Sequence, residues 1–144
     1  MKRIVTAKDL GLTIERKEHT LFKWFLASYL FGKRIQQGVA WKTWQVFMEK
    51  GIDTPQKIAA QSWQQLVGLL GEGHYRRYDE STAHNLLDMS RALLRDYHGN
   101  LLNMYDGCSD EKEFVKRLQK FKGVGPKTAE IFMREARPVL LRTV

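Results

Sequence analysis

Cysteine occurs once in these 144 residues, at Cys108, so the chain can close no internal disulfide and build no four-thiolate zinc or iron–sulfur site. That scarcity predicts a reducing, intracellular setting. Long apolar runs are missing too. The longest, residues 21–31, is interrupted by Lys23 and falls far short of the roughly 20 residues that cross a bilayer. The first residues, MKRIVT, hold no apolar signal-peptide core, so neither secretion nor membrane insertion is expected. No stretch alternates apolar and polar residues with period two, which leaves no candidate for a half-buried strand. Internal repeats and low-complexity linkers are absent. His19, His84 and His98 have no ligand-like spacing to acidic or cysteine partners, and no Ser-His-Asp pattern is legible.

What is present is hydrophobic residue, at 43%, and positive charge, at +8. The former suffices for one core in a chain of this length. The latter fits a polyanion, an anionic membrane surface or simply a soluble basic surface. Its position narrows the choice: residues 112–144 hold nine basic side chains against three acidic ones, most of the excess in the last quarter of the chain.

Apolar residues recur three and four apart between recognisable caps, which predicts an all-α domain over residues 17–144 behind an arm at 1–16. A helix over 18–31 is apolar nearly all round and belongs at the centre, with Gly32 ending it at positive φ. A second helix carries Ile35, Val39, Phe47 and Ala40, Trp44, Met48 as neighbouring rows and stops near Gly51. Thr54-Pro55 opens a short helix to about residue 60. Ser62 and Gln65 make a capping box for a helix stopped by Gly71. Residues 71–78 read as a loop, a long helix restarts near Ser81 and ends at Gly99, and Ser109 caps the next. Of Trp24, Trp41, Trp44 and Trp63, at least three are expected in the core.

The last pair of helices carries the functional signal. Lys122-Gly123-Val124-Gly125 leaves room only for a tight turn before Pro126 opens a helix through about residue 136, with Arg137-Pro138 at its end. Glycines let backbone approach a ligand, and unpaired N–H groups at a helix start attract an anion. A phosphate, direct or through a bridging sodium or potassium ion, fits there without any base being read. Lys120, Lys122 and Lys127 surround the point, and Thr128 lies in the same first turn. An ordinary helical corner with solvated lysines is the competing reading.

The run Phe121-Lys122-Gly123-Val124-Gly125-Pro126-Lys127-Thr128-Ala129 resembles the helix-hairpin-helix motif of the endonuclease III and 8-oxoguanine glycosylase superfamily of base-excision repair, usually written Leu-Pro-Gly-Val-Gly-x-Lys-x-Ala. Upstream, Phe25 to Leu30 looks like that family's first core helix. Gly73-His74-Tyr75 and Ser81-Thr82-Ala83-His84-Asn85-Leu86 look like its Gly-x-Tyr loop and following helix. The resemblance covers about residues 20–136 and implies a single glycosylase-like helical bundle, with the motif at about 109–136.

It further implies a monomer in the cytoplasm, associated with the nucleoid, that grips double-stranded DNA and acts on a damaged nucleotide as a glycosylase, an abasic-site lyase or both. The lysine at the position of Lys127 is then the nucleophile that attacks C1′ and forms a Schiff base. In the first turn of a helix, and partly buried against the turn, such an amine is expected to favour the neutral form that attack requires. The family's aspartate segment would fall one position past Val144, so the same resemblance also accommodates a DNA-binding module without the chemistry. Glu130, one helical turn from Lys127, is a weak substitute. The cysteine-ligated iron–sulfur region of many relatives has no counterpart, and no other cofactor is expected.

Two further segments enter by this resemblance. Lys33 and Arg34 occupy the turn where relatives place a DNA-inserting or pocket-lining residue, against the reading of a solvated turn. His74 and Tyr75, followed by Arg76 and Arg77, suit stacking on an unpaired base with phosphate contacts, against simple loop packing. Replacing Gly123 or Gly125 by a bulky residue is expected to weaken DNA binding without unfolding.

Overall fold

The computed structural model describes residues 5–141. Residues 1–4 of the expected arm and 142–144, with Arg142, lie outside them. The described residues form eight α-helices and a short 3-10 turn at Lys8–Leu10, with no strand among them: α1 (Glu18–Phe31), α2 (Gln37–Glu49), α3 (Pro55–Ala59), α4 (Trp63–Glu72), α5 (Asp79–Tyr97), α6 (Leu101–Asp106), α7 (Glu111–Leu118) and α8 (Pro126–Leu140).

Helix α1 is buried on all sides, as its composition requires, and packs on α2, α6 and α8. Phe25 meets Phe132 of α8 edge-on at 5.4 Å and Phe121 at 6.5 Å. Indole N–H groups need partners when buried, and both of the deepest ones find backbone: Trp24 donates to the Phe132 carbonyl at 3.1 Å and Trp44 to that of Lys23 at 3.0 Å. Helices α3 and α4 pack on α5, α2 touches α4, and α6 bridges α1 and α5. Val5 and Ala7 also enter the core, where the Ala7 N–H donates to Glu135 of α8.

Local capping sets several boundaries where expected. Thr54 accepts from the Lys57 N–H with Pro55 in the first turn, and Ser62 and Gln65 make both halves of the capping box. Elsewhere the structure corrects the expectation. Gly32 has φ −77°, so left-handed geometry does not explain it. Its role is close approach: a Cβ there would stand 2.2 Å from Thr128 Oγ1, so the end of α1 abuts the start of α8. Helix α4 continues past Gly71 to Glu72, and α5 starts at Asp79, not Ser81. Asp110, not Ser109, caps α7 by accepting from the Glu113 N–H. Pro138 lies inside α8, where its missing N–H and its ring deprive the Arg134 carbonyl of its helical donor. Helix α6, capped by Asn100, is too short for its apolar spacing to stand out.

The tryptophan expectation also fails. Trp24 and Trp44 are buried, Trp41 is half-buried, and Trp63 is 39% exposed because it opens the short α4 and lies across the first turn of α5, its N–H on the Glu80 carbonyl at 3.0 Å.

Candidate functional site

The α7–α8 turn is built on Leu118, Phe121, Val124, Ala129 and Phe132, all buried. The Phe121 N–H donates to the Leu118 carbonyl and the Val124 N–H to that of Phe121, each at 3.1 Å, which folds the chain back tightly. Gly123 sits at φ +82°, a left-handed conformation that disfavours any side chain. Helix α8 then begins at Pro126 with Gly125 as N-cap. Gly125 has no side chain to accept from the first-turn N–H groups, so the positive end of α8 carries no internal cap.

Helix α1 grips this turn from beneath. The Tyr29 hydroxyl donates to the Lys122 carbonyl at 3.0 Å, and the Lys33 ammonium donates to the Gly123 carbonyl while lying 4.2 Å over the Tyr29 ring. A Cβ at Gly123 would fall 2.0 Å from the Tyr29 hydroxyl, so contact as well as backbone geometry demands glycine. Gly125 differs: a Cβ there meets nothing within 4 Å. Burial pushes the Lys33 amine below the usual lysine range, and burial chiefly, with Tyr75 and Asp88 nearby, pushes the Tyr29 hydroxyl up.

Beside the turn opens a cleft of about 1000 Å³. Four segments distant in sequence form it: Val5 of the N-terminal arm, the end of α1 with the α1–α2 turn and the first turn of α2, the loop before α5, and one face of α8. Among the described residues Lys33, Arg34, Arg76, Arg77, Lys127 and Arg134 line it, with His74 and no carboxylate. Phe31, Ile35, Val39 and Ile131 supply an apolar part of the wall. Among the described residues, Arg34, Arg76 and Lys127 have no ion-pair partner, and Arg134 reaches only the exposed Glu130 at 3.8 Å. A concave wall with this many cations and no acid focuses a positive potential into the cleft.

Seven residues singled out from sequence therefore line one cleft: Lys33, Arg34, His74, Tyr75, Arg76, Arg77 and Lys127. Lys120 and Lys122 are exposed on the turn, outside the cleft lining. Thr128 is buried against Gly32, so it is not exposed to a ligand as expected. Lys127 is exposed, not partly buried as expected, because Pro126 and Lys127 project from the open side of the first turn.

Tyr75 is corrected too. It is 1% exposed, with its hydroxyl 2.9 Å from Thr82 Oγ1, so it anchors the loop and offers no stacking face. The exposed ring is Tyr78, 51% accessible, at φ +66°, with the Arg77 guanidinium 5.0 Å over it. His74, at φ +65°, is exposed, its Nε2 3.1 Å from Lys42 Nζ.

Arg134 was missed, although 127, 131 and 134 follow the four-and-three spacing of one helix face and could have revealed it. Tyr78 carried no such signal. Among the described residues no group of three His, Cys, Asp or Glu is placed to hold a metal, and no helix is long and apolar enough to cross a membrane. Comparison of the chain with protein-family models, curated proteins and solved structures finds no match.

Proposed function

We propose that this chain is a DNA-repair protein of the helix-hairpin-helix base-excision type, a glycosylase, an abasic-site lyase or both, that holds duplex DNA at the α7–α8 turn. The observation that carries the reading is the carboxylate-free cationic cleft with Lys127 on its wall, directly beside an uncapped helix start. Phosphates are met by helix N–H groups and by lysine and arginine, neither of which reads sequence, so binding is non-specific and salt-sensitive. An extruded nucleotide enters the cleft against its apolar wall.

In the lyase reaction the neutral Lys127 amine adds to the C1′ aldehyde of an abasic sugar. The carbinolamine loses water to give an imine, a C2′ proton is removed, and the C3′–O bond breaks to release the 3′ phosphate. Base removal demands more, because departure of the base builds positive charge at the sugar that a carboxylate would offset.

A second reading follows from the same cleft. With no carboxylate on its wall and Lys127 exposed, the cleft also suits a module that grips DNA without performing chemistry.

Borohydride trapping on an abasic-site duplex separates the two. The enzyme reading expects a covalent adduct that Lys127→Ala abolishes while affinity stays within a few-fold. An absent adduct, or one that persists in Lys127→Ala, favours the non-catalytic module.

A further inference from the structure

We infer that the Lys33 ammonium is a built-in cation of the α7–α8 turn, occupying the place in which the helix-hairpin-helix reading would seat a sodium or potassium ion. The effect on DNA rests on the reading above; the effect on the turn does not.

A bare monovalent ion must exchange its water for several carbonyl oxygens aimed at one point. Five carbonyls of this turn already hold a donor, while among the described residues that of Val124 holds none. Those of Leu118, Phe121 and Gly125 accept from the N–H groups of Phe121, Val124 and Ala129. That of Lys122 accepts from Tyr29, and that of Gly123 from Lys33 itself. The ammonium lies on the Gly123 carbonyl and over the Tyr29 ring, and its side chain lines the cleft. A second cation at the same carbonyl would meet this charge in a half-buried, poorly screened position. The residues therefore do not fit a metal ion; they fit an amine that supplies the same positive charge beneath the phosphate-facing turn.

Lys33 is thus a positioning residue. It also draws the end of α1 and the start of α8 together, so that cation and turn geometry come from one side chain. A solvated lysine at this position would do neither.

The test compares chloride salts of potassium, sodium, lithium and N-methylglucamine at equal ionic strength. The wild-type chain is expected to melt at the same temperature and to bind an abasic-site duplex within about twofold in all four. Lys33→Met keeps the apolar stem, removes the charge and leaves the Gly123 carbonyl, like that of Val124, without a donor and so open to a metal ion. It is expected to bind at least about fivefold more weakly in the N-methylglucamine salt and to recover in part in potassium or sodium, with melting temperature following the same order.

Wild-type dependence on cation identity overturns the inference, as does Lys33→Met matching the wild type or losing affinity equally in all four salts, which would make Lys33 a plain phosphate contact. Should Lys33→Met not fold, Tyr29→Phe, which releases the Lys122 carbonyl but keeps the ammonium, is expected to stay indifferent to the cation; dependence there overturns the inference equally. If the wild type binds no duplex while the melting pattern holds, the DNA reading fails and the built-in cation stands.

Discussion

Gly32 and Thr128 are pressed together so closely that a Cβ on the glycine would lie 2.2 Å from the threonine hydroxyl oxygen. This contact sets the end of α1, which carries Lys33, against the first turn of α8, which carries Lys127. A side chain at position 32 would push these two segments apart.

Three alanine substitutions should therefore behave differently. Gly32→Ala overpacks a tight contact at a cost of about 1–3 kcal/mol. Gly123→Ala adds left-handed strain to a collision with Tyr29, so it is expected to be the most damaging. Gly125→Ala meets open space and should leave the thermal midpoint within about 2 °C of wild type, by the usual proportion between stability and midpoint. If DNA affinity nevertheless falls for Gly125→Ala, the backbone at 125 lies against the ligand. Unchanged affinity would remove the turn from the interface. This divides what the sequence treated as one expectation for both glycines, because only Gly123 has a neighbour inside the protein.

Arg76 and Arg134 line the same cleft from different elements. Replacing either by alanine is expected to weaken duplex binding irrespective of sequence. It should also reduce the slope of log affinity against log salt by about one for each phosphate that the protein no longer neutralises. A salt titration by fluorescence anisotropy reads this. A slope that does not move would place the phosphates elsewhere.

Tyr78 holds an exposed ring on a left-handed backbone, a combination that stability alone does not favour. Tyr78→Gly should be neutral or slightly stabilising in thermal melting, since glycine accepts that conformation. Binding to DNA with an unpaired base should fall, by about 1–3 kcal/mol if one base stacks on the ring, with little change for fully paired duplex. Tyr75→Phe makes the control: it removes the hydroxyl contact to Thr82, so it should lower stability without altering the preference between the two DNAs.

Glu18 accepts from the N–H groups of Leu101 and Leu102 at 2.8 and 3.2 Å and so serves the start of α6. Burial pushes its carboxyl up from 4.5 to about 7, and those two hydrogen bonds pull only partly the other way. A folded state that holds the proton more tightly than the unfolded chain gains stability below about pH 4.5 and loses it as pH rises towards 7. Glu18→Gln should remove that dependence. Denaturant titrations at pH 5 and 7.5 are expected to show the wild type losing on the order of 1–2 kcal/mol relative to the variant, the figure being reduced for partial solvent exposure. Parallel behaviour of the two proteins would mean that Glu18 is ionised throughout.

The α3 and α4 starts were legible because Thr54, Pro55, Ser62 and Gln65 act within one turn of themselves. The same holds for the burial of α1, whose composition leaves no polar face, and for the turn whose glycines and Pro126 permit little else. Each depends on neighbours in the chain, and such neighbours are visible in sequence. Tertiary structure decided the rest. Tyr75 and Tyr78 are three residues apart in one loop, yet one is buried on Thr82 and the other faces solvent, because the loop packs against α5 on one side only. Lys33 reads in sequence as a turn residue, either DNA-facing or solvated; only folding brings its ammonium onto the Gly123 carbonyl, 90 residues further along the chain. The cleft likewise has no existence in any single segment: its charge comes from three, and the absence of a carboxylate became a property of the site only when folding chose which side chains share that wall.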